Sequence, residues 1–100
     1  TEYLPMAAYL IAHVKVKNAE KLPEYSSQAG PTFAPFGGAP LARGKVVEVL
    51  TGTHAGQSTL IVKFPDAKAA HDWYNSPAYQ ALVPLRDEAI EATFVVIEEA

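Results

Sequence analysis

Two side chains in this sequence, His13 and Arg43, could together bind and protonate a small acid. An imidazole titrates near neutral pH, so it can donate or accept a proton. A guanidinium binds a carboxylate through two parallel hydrogen bonds. Both residues fall in predicted strands, and we expect them to meet on one face of a sheet. There Arg43 would hold a small organic acid or phenol-like anion, and His13 would be the catalytic acid or base.

Both residues also have a structural interpretation. His13 could be hydrogen-bonded inside a subunit interface or at its rim. Arg43 could form an internal ion pair that fixes the sheet or the dimer, since buried charges are normally paired. Its partner would be Glu48 or a bound anion, and Glu48 is therefore a candidate ligand-binding residue as well. The sequence leaves both interpretations open.

A third candidate group is aromatic and consists of Trp73, Tyr74 and Tyr79. Aromatic rings that lie close together can form the wall of a ligand pocket, but they more often pack a core or an interface. We list all three as candidate ligand-binding residues, with packing at a helix junction as the alternative. Arg86 follows on the next predicted helix, and we interpret it as part of a surface or structural ion pair.

Other kinds of chemistry have no support in the sequence. It contains no cysteine, which excludes thiolate catalysis and cysteine-ligated metal. The spacing of His13, His54 and His71 does not match a metal site, and no glycine-rich phosphate loop or nucleophile motif is present. We interpret His54, in a predicted turn, and His71, on an exposed helix, as solvated. We predict no cofactor and no metal.

The strand that carries His13 is predicted over 8–16. Its even positions are all apolar, whereas its odd positions mix Tyr9 and Ile11 with His13 and Lys15. Strand side chains alternate between the two faces of a sheet. One face of this strand therefore packs on a core, and the other face is half apolar and carries a histidine.

The remaining elements follow from periodicity and from capping residues. A helix that is bent or split near Gly30 is predicted over 18–37. Asp66 and Ser76 are predicted helix caps, the latter followed by Pro77 at the first helical position. The other predicted elements are strands over 41–51, 58–64 and 93–98 and helices over 66–75 and 77–91.

The resulting order β-α-β-β-α-β is typical of a ferredoxin-like α+β fold with a four-stranded antiparallel sheet. We predict the strand order 4-1-3-2. The helices cover one face of such a sheet, and we expect four strand residues beneath them: Leu10, Val14, Leu60 and Val62.

The second face of the sheet needs a cover, because Tyr9, Ile11 and Ile61 would otherwise be exposed. A second copy of the chain is the economical cover, since closed twofold dimers are the commonest oligomers. We therefore predict a homodimer. A pocket between the two copies would be walled by Tyr9 and Ile61, which are further candidate ligand-binding residues.

Composition sets the broad class of the protein. One hundred residues, about half of them apolar, predict a single ordered domain over 1–100. A net charge of −3 with two arginines argues against binding nucleic acid. No run reaches membrane-spanning length and no signal peptide is evident, which favours a cytoplasmic protein without a membrane partner. Whether 1–6 form an N-terminal extension, with Met6 as the natural start, is left open.

These residues also resemble a known family. The tryptophan–tyrosine pair at 73–74, followed by Ser-Pro-Ala-Tyr-Gln at 76–80, resembles the domain-of-unknown-function family 1330 of the dimeric α/β barrel superfamily. The resemblance extends over most of the chain from 7 to 98. It implies two ferredoxin-like subunits whose sheets join into a barrel, and it implies no established activity. The further matching segments are 8–14, 36–38, 41–44, 48–50, 64–66, 69–72 and Arg86.

Two classes of function remain. One is a barrel that binds a small organic acid or aromatic metabolite, with or without cofactor-free acid–base chemistry. The other is a non-catalytic dimeric module, structural or active in a stress response, with a filled barrel. Relatives in the superfamily include monooxygenases and isomerases, which is analogy from fold alone. A cavity in which His13 and Arg43 converge would favour the first class.

Overall fold

The computed structural model describes residues 6–54 and 56–99, so most of the predicted extension at 1–6 lies outside the described residues. The order of elements is the predicted β-α-β-β-α-β, with the second helical region in three pieces. The strands are β1 (Ala8–Val16), β2 (Ala39–Lys45), β3 (Ser58–Phe64) and β4 (Ile90–Glu98). The helices are α1 (Leu22–Ala29), α2 (Ala67–Tyr74), α3 (Pro77–Gln80) and α4 (Val83–Ala89).

The four strands form one antiparallel sheet in the order β2-β3-β1-β4, which confirms the predicted strand order. The register between β1 and β3 places Leu10 opposite Val62 and Ile11 opposite Ile61. Directly opposed residues share a face. Leu10 and Val62 are buried in the core beneath the helices, with Leu60 and Val14 packed against it, as predicted.

Two predicted caps start the helices that follow β3. The Asp66 carboxylate accepts a hydrogen bond from the backbone N–H of Ala69 at 2.7 Å. The Ser76 hydroxyl accepts one from the backbone N–H of Tyr79 and donates to the carbonyl of Trp73 at 2.7 Å. Each cap satisfies a free N–H in the first helical turn, so the chain stops and restarts between α2 and α3.

The first helical region begins later than predicted and is split where predicted. The Asn18 side chain accepts a hydrogen bond from the backbone N–H of Glu20 in the turn before α1, instead of capping the helix itself. After α1, two single 3₁₀ turns follow at Gly30–Thr32 and Ala34–Phe36, each with a proline near its start. Proline lacks the N–H that a continuing helix would need, which explains the break.

The second strand differs most from its predicted range of 41–51. It begins at Ala39 and ends at Lys45, and the β-branched run that follows leaves the sheet. Val47 and Leu50 are 88% and 87% exposed. Residues with high strand propensity favour positions on a half-buried, pleated sheet surface. A single chain provides no such surface beyond Lys45.

An aromatic cluster forms the core between the sheet and the helices. Trp73 of α2 is 1% exposed, and its ring lies 4.8 Å from that of Phe33 and 4.3 Å from that of Tyr79. Its indole N–H donates to the Thr32 hydroxyl at 2.9 Å. The break between α2 and α3 therefore turns two aromatic rings inward, while Phe33, between the two 3₁₀ turns, supplies the third ring and Thr32 the acceptor.

The other side of the sheet, here called the outer face, has an apolar half and a polar end. Side chains on this face include those of Tyr9, Ile11, His13, Lys15, Thr59, Ile61, Lys63, Glu91, Thr93, Val95 and Ile97. Val95 and Ile97 are 40% and 50% exposed, and the molecule is only 16 Å across its thinnest dimension. The chain is thus a two-layer structure with one apolar surface open.

Candidate functional site

A cavity of about 520 Å³ lies on the helix side of the sheet, between α2 and β4. We call it the helix-side cleft. Its walls combine apolar strand residues with a small number of polar groups, which is the usual make-up of a ligand pocket. Its lining residues are Leu10, Ala67, Ala70, His71, Trp73, Tyr74, Asn75, Arg86, Ala92, Phe94, Val96 and Glu98.

Arg86, on α4, provides the positive charge of this cleft, and its side chain is only 16% exposed. Its Nη1 donates to the hydroxyls of Tyr74 at 3.0 Å and Tyr79 at 3.4 Å. The guanidinium carbon also lies 5.6 Å from the centre of the Phe94 ring. Hydroxyls and ring faces thus hold the group in place without neutralising it.

The charge of Arg86 is only partly balanced. Among the described residues its ion-pair partner is the neighbouring Asp87, whose side chain is 64% exposed and whose Oδ1 lies 3.2 Å from Nε and from Nη2. Exposed ion pairs contribute little because water competes for both charges. The hydrogen bonds of the guanidinium run from Nε to Asp87 and from Nη1 to Tyr74 and Tyr79, so part of its capacity of five N–H donors is unused among the described residues.

A chain of phenols lies behind the guanidinium. The hydroxyls of Tyr25 and Tyr79 are 2.7 Å apart in the core. Burial raises the pKa of Tyr25, and its hydrogen bond to Tyr79 adds to the effect. Burial also raises the pKa of Tyr79, partly offset by its bonds to Tyr25 and Arg86. Burial lowers the pKa of Arg86, but the bonds to Tyr74 and Tyr79 outweigh it and leave that pKa raised. Tyr25 and Tyr79 are therefore neutral at pH values at which the Arg86 guanidinium is charged.

This chain of phenols predicts alkaline instability. An unfolded tyrosine ionises at a pKa of about 10. Tyr25 and Tyr79, two of five tyrosines, keep their protons above that pH in the folded protein. The stability they contribute is therefore complete below pH ~10 and is lost as pH rises further. We expect tyrosinate absorbance from both residues to appear together with unfolding. Ionisation of all five tyrosines with the fold intact would contradict the assignment.

The predicted aromatic residues divide between two roles. Trp73 and Tyr74 line the helix-side cleft, whereas Tyr79 is fully buried and supports Arg86 from behind. Packing at a helix junction, the alternative considered from the sequence, is what the structure shows for Trp73 and Tyr79. Arg86 is a cleft residue, and the interpretation of it as an ordinary surface or structural ion pair missed its burial. The one available signal for this burial in the sequence was the seven-residue spacing between Tyr79 and Arg86, which both belong to the helical layer.

His13 lies on the outer face, on the other side of the sheet from that cleft. Its Nδ1 is 3.0 Å from Nε2 of His54, whose Nδ1 is 3.0 Å from the carbonyl oxygen of Gly56. A second cavity of about 300 Å³ adjoins the pair. His54 is exposed but is not merely solvated, because it orients His13. The second cavity is lined by His13, Lys15, Thr53, His54, Gly56, Glu91, Ala92 and Thr93.

Arg43 does not meet His13. It pairs with Leu60, whereas His13 pairs with Thr59, so the two side chains lie on opposite faces of the sheet. A bulge between Pro40 and Ala42 causes this, because one extra residue in β2 moves all later side chains to the other face. Without the extra residue, Arg43 would stand opposite Thr59.

The other predicted site residues are also dispersed. Among the described residues no ion pair joins Arg43 to Glu48, and both are exposed. Tyr9 lies on the outer face, where its hydroxyl donates to the Glu99 carboxylate at 3.2 Å. Neither Tyr9 nor Ile61 lines the cavity beside His13. Ligand roles for these residues stay predictions, but the converging site does not form in one chain.

Over 6–54 and 56–99, no group of three or more histidine, aspartate or glutamate side chains is arranged to hold a metal ion. In the same part of the chain, no helix has the length and apolar character needed to cross a bilayer.

Comparison with known families gives a match over almost the whole chain. The model of the family described as Domain of unknown function (DUF1330) matches residues 7–100. The chain belongs to this family. The resemblance noted at the tryptophan–tyrosine and Ser-Pro-Ala-Tyr-Gln segments is thereby confirmed. No curated protein matches this member of the family.

Solved structures of similar fold support the ferredoxin-like architecture. The RPA0582 protein of unknown function from Rhodopseudomonas palustris is 18% identical, with a TM-score of 0.79 over 96% of this chain and 84% of that one. SnoaB, a cofactor-independent oxygenase from Streptomyces nogalater, is 11% identical, with a TM-score of 0.68 over 92% and 91%. A dimeric ferredoxin-like protein of unknown function from Thermobifida fusca is 12% identical, with a TM-score of 0.56 over 98% and 96%.

Proposed function

We propose that this DUF1330 protein binds a small organic acid, aromatic or aliphatic, in the helix-side cleft. The observation that carries the proposal is Arg86, a largely buried guanidinium that borders the cleft and is only partly balanced by exposed Asp87. Buried charges are normally paired, and a carboxylate ligand would complete the pairing. We thus assign to Arg86 the acid-binding role that was predicted from the sequence for Arg43.

The walls of the cleft fit the carbon skeleton of such a ligand. Trp73, Phe94 and Leu10 provide apolar and aromatic surface, and a volume of about 520 Å³ is within the range of small-molecule pockets. The Tyr74 hydroxyl, which Arg86 already holds, adds a neutral donor or acceptor near the bound carboxylate. The ligand would therefore place its acid group at Arg86 and its ring or chain along β4.

The alternative is a non-catalytic module with no ligand. An open cleft with unused donor capacity at Arg86 favours binding over a filled structural role. SnoaB is described as an oxygenase that needs no cofactor, which makes cofactor-free chemistry on a bound metabolite a coherent second candidate. In this chain His71, Tyr74 and Glu98 line the cleft and are candidate groups for proton transfer there.

Titration calorimetry tests the binding proposal with matched probes. Benzoate and hexanoate carry the proposed acid group on a ring and on a chain, and benzamide has nearly the shape of benzoate without its charge. We expect one or both acids to bind and benzamide to bind at least tenfold more weakly, since charge-assisted bonds contribute about 1.5–3 kcal/mol. Equal binding of benzoate and benzamide, or no binding of either acid, would contradict the proposal.

We also propose that two copies associate through the apolar half of the outer face. Ile97 and Val95 are exposed beside Tyr9 and Ile11, and a contiguous apolar patch on a thin sheet needs a cover. A second copy offers the same patch in twofold symmetry. The Thermobifida fusca structure of this fold is described as dimeric.

Light scattering should give twice the chain mass of 10.8 kDa. Ile97→Asp is expected to give monomers, because it places two charges in the interface at a position that is half exposed in a single chain. Lys68→Glu, at an exposed position of α2, is the matched control and should leave the dimer intact. A stable wild-type monomer, or an unaffected Ile97→Asp dimer, would rule out this interface.

A further inference from the structure

The two histidines on the outer face form a chain whose proton positions can be deduced. The carbonyl oxygen of Gly56 can only accept a hydrogen bond, so Nδ1 of His54 must carry the proton that it donates there. In a neutral His54, Nε2 is then an acceptor. His13 must therefore donate from Nδ1 across the 3.0 Å contact.

The consequence is a fixed tautomer of His13, with the lone pair on Nε2. This nitrogen makes no hydrogen bond to any described residue. The described part of the chain also contains no buried side-chain nitrogen or oxygen without a partner, so Nε2 is open to solvent. A backbone carbonyl thus orients His54, and His54 orients His13, as in sites where the far nitrogen of a histidine acts as a base.

We propose that the cavity beside His13 is a second binding site, and that it takes a neutral phenol through the phenol hydroxyl. The nitrogen available there is an acceptor, so a ligand that donates is required. A carboxylic acid is ionised at neutral pH and has no proton to donate, whereas a phenol with a pKa of about 10 keeps its proton. This site lies on the outer face and differs in ligand chemistry from the helix-side cleft, for which an anion is proposed.

The charged groups around His13 agree with a neutral ligand. Lys15 of β1 and Glu91 of β4 stand opposite each other and line the cavity, so their charges offset. Thr59 of β3 and Thr93 of β4 flank His13 and are neutral. When the phenol proton passes to Nε2, an imidazolium and a phenolate form, Nδ1–H stays bonded to His54, and Lys15 is the nearby cation for the phenolate.

His54 is a positioning residue in this proposal, and nuclear magnetic resonance distinguishes that role from a structural one. Long-range proton–nitrogen spectra report which ring nitrogen carries the proton. We expect Nδ1–H at His13 in the wild-type protein and loss of that preference in His54→Phe, which keeps a ring but no acceptor. Lys68→Glu, on α2 and outside both cavities, is the control and should leave His13 unchanged.

Titration of the same samples with phenol completes the test. We expect phenol to shift the Nε2 signal of His13 but not the signals of His71, and the affinity to fall at least tenfold in His54→Phe and in His13→Phe. A proton on Nε2 of His13 in the wild-type protein would overturn the proposal without the need for any variant. Phenol shifts at His71 equal to those at His13, or unchanged affinity in folded His54→Phe, would also overturn it.

Discussion

Trp73→Ala is expected to lower the free energy of unfolding by about 3–5 kcal/mol, the usual cost of deleting a buried large aromatic side chain. Trp73 is the largest fully buried side chain in the protein and contacts rings from the 3₁₀ turns, β3, α3 and β4. Domains of this kind have a total stability of roughly 5–15 kcal/mol. The variant should therefore be marginally folded or unfolded at room temperature.

Urea unfolding followed by circular dichroism measures this loss. Trp73→Phe keeps an aromatic ring but removes the hydrogen bond from the indole N–H to the Thr32 hydroxyl. It should therefore lower the free energy of unfolding clearly less than Trp73→Ala does. Thr32→Val removes the same hydrogen bond from the other side and should cost about 1–3 kcal/mol, because it leaves the indole N–H buried without a partner. A Trp73→Ala protein as stable as Trp73→Phe would show that the aromatic cluster is not the centre of the core.

Arg86→Met is expected to weaken the binding of organic acids strongly while the protein stays folded. Methionine keeps much of the apolar stem and removes the charge. The loss of a charge-assisted bond contributing about 1.5–3 kcal/mol corresponds to a decrease in affinity of roughly 10- to 150-fold. Tyr79 would keep its hydrogen bond to Tyr25, which limits the damage to the core.

The second arginine provides the matched control, since the chain has only Arg43 and Arg86. Arg43→Met removes the same charge from an exposed edge strand and should leave affinity unchanged. Arg86→Lys should recover part of the affinity, because an ammonium keeps the charge but cannot form the paired hydrogen bonds of a guanidinium. Loss of binding in Arg43→Met with retention in Arg86→Met would restore the site predicted from the sequence.

The fold could be predicted from the sequence because its signals are local. Alternation in β1 identifies the buried face, and Asp66 and Ser76 fix where two helices begin through hydrogen bonds to residues three positions later. The strand order follows from the order of elements. The end of β2 could not be predicted in this way, because Val47 and Leu50 have strand propensity but no surface to pack against within one chain.

The site depends on non-local features, and the sequence prediction failed there for identifiable reasons. One extra residue near Leu41 turns Arg43 away from His13, and nothing in the composition of β2 marks that bulge. The contact of His13 with His54 joins residues 41 positions apart. Arg86 looked like a surface arginine because its burial depends on rings brought in by α2, α3 and β4.

A crystal structure of the wild-type protein with para-bromobenzoate tests the central claim most directly, because anomalous scattering from bromine locates the ligand without prior assumptions. The proposal predicts the bromine between α2 and β4, beside Phe94, and the carboxylate within hydrogen-bond distance of the Arg86 guanidinium. A ligand seated beside His13 on the outer face, or against Arg43 on edge strand β2, with the helix-side cleft empty, would contradict it.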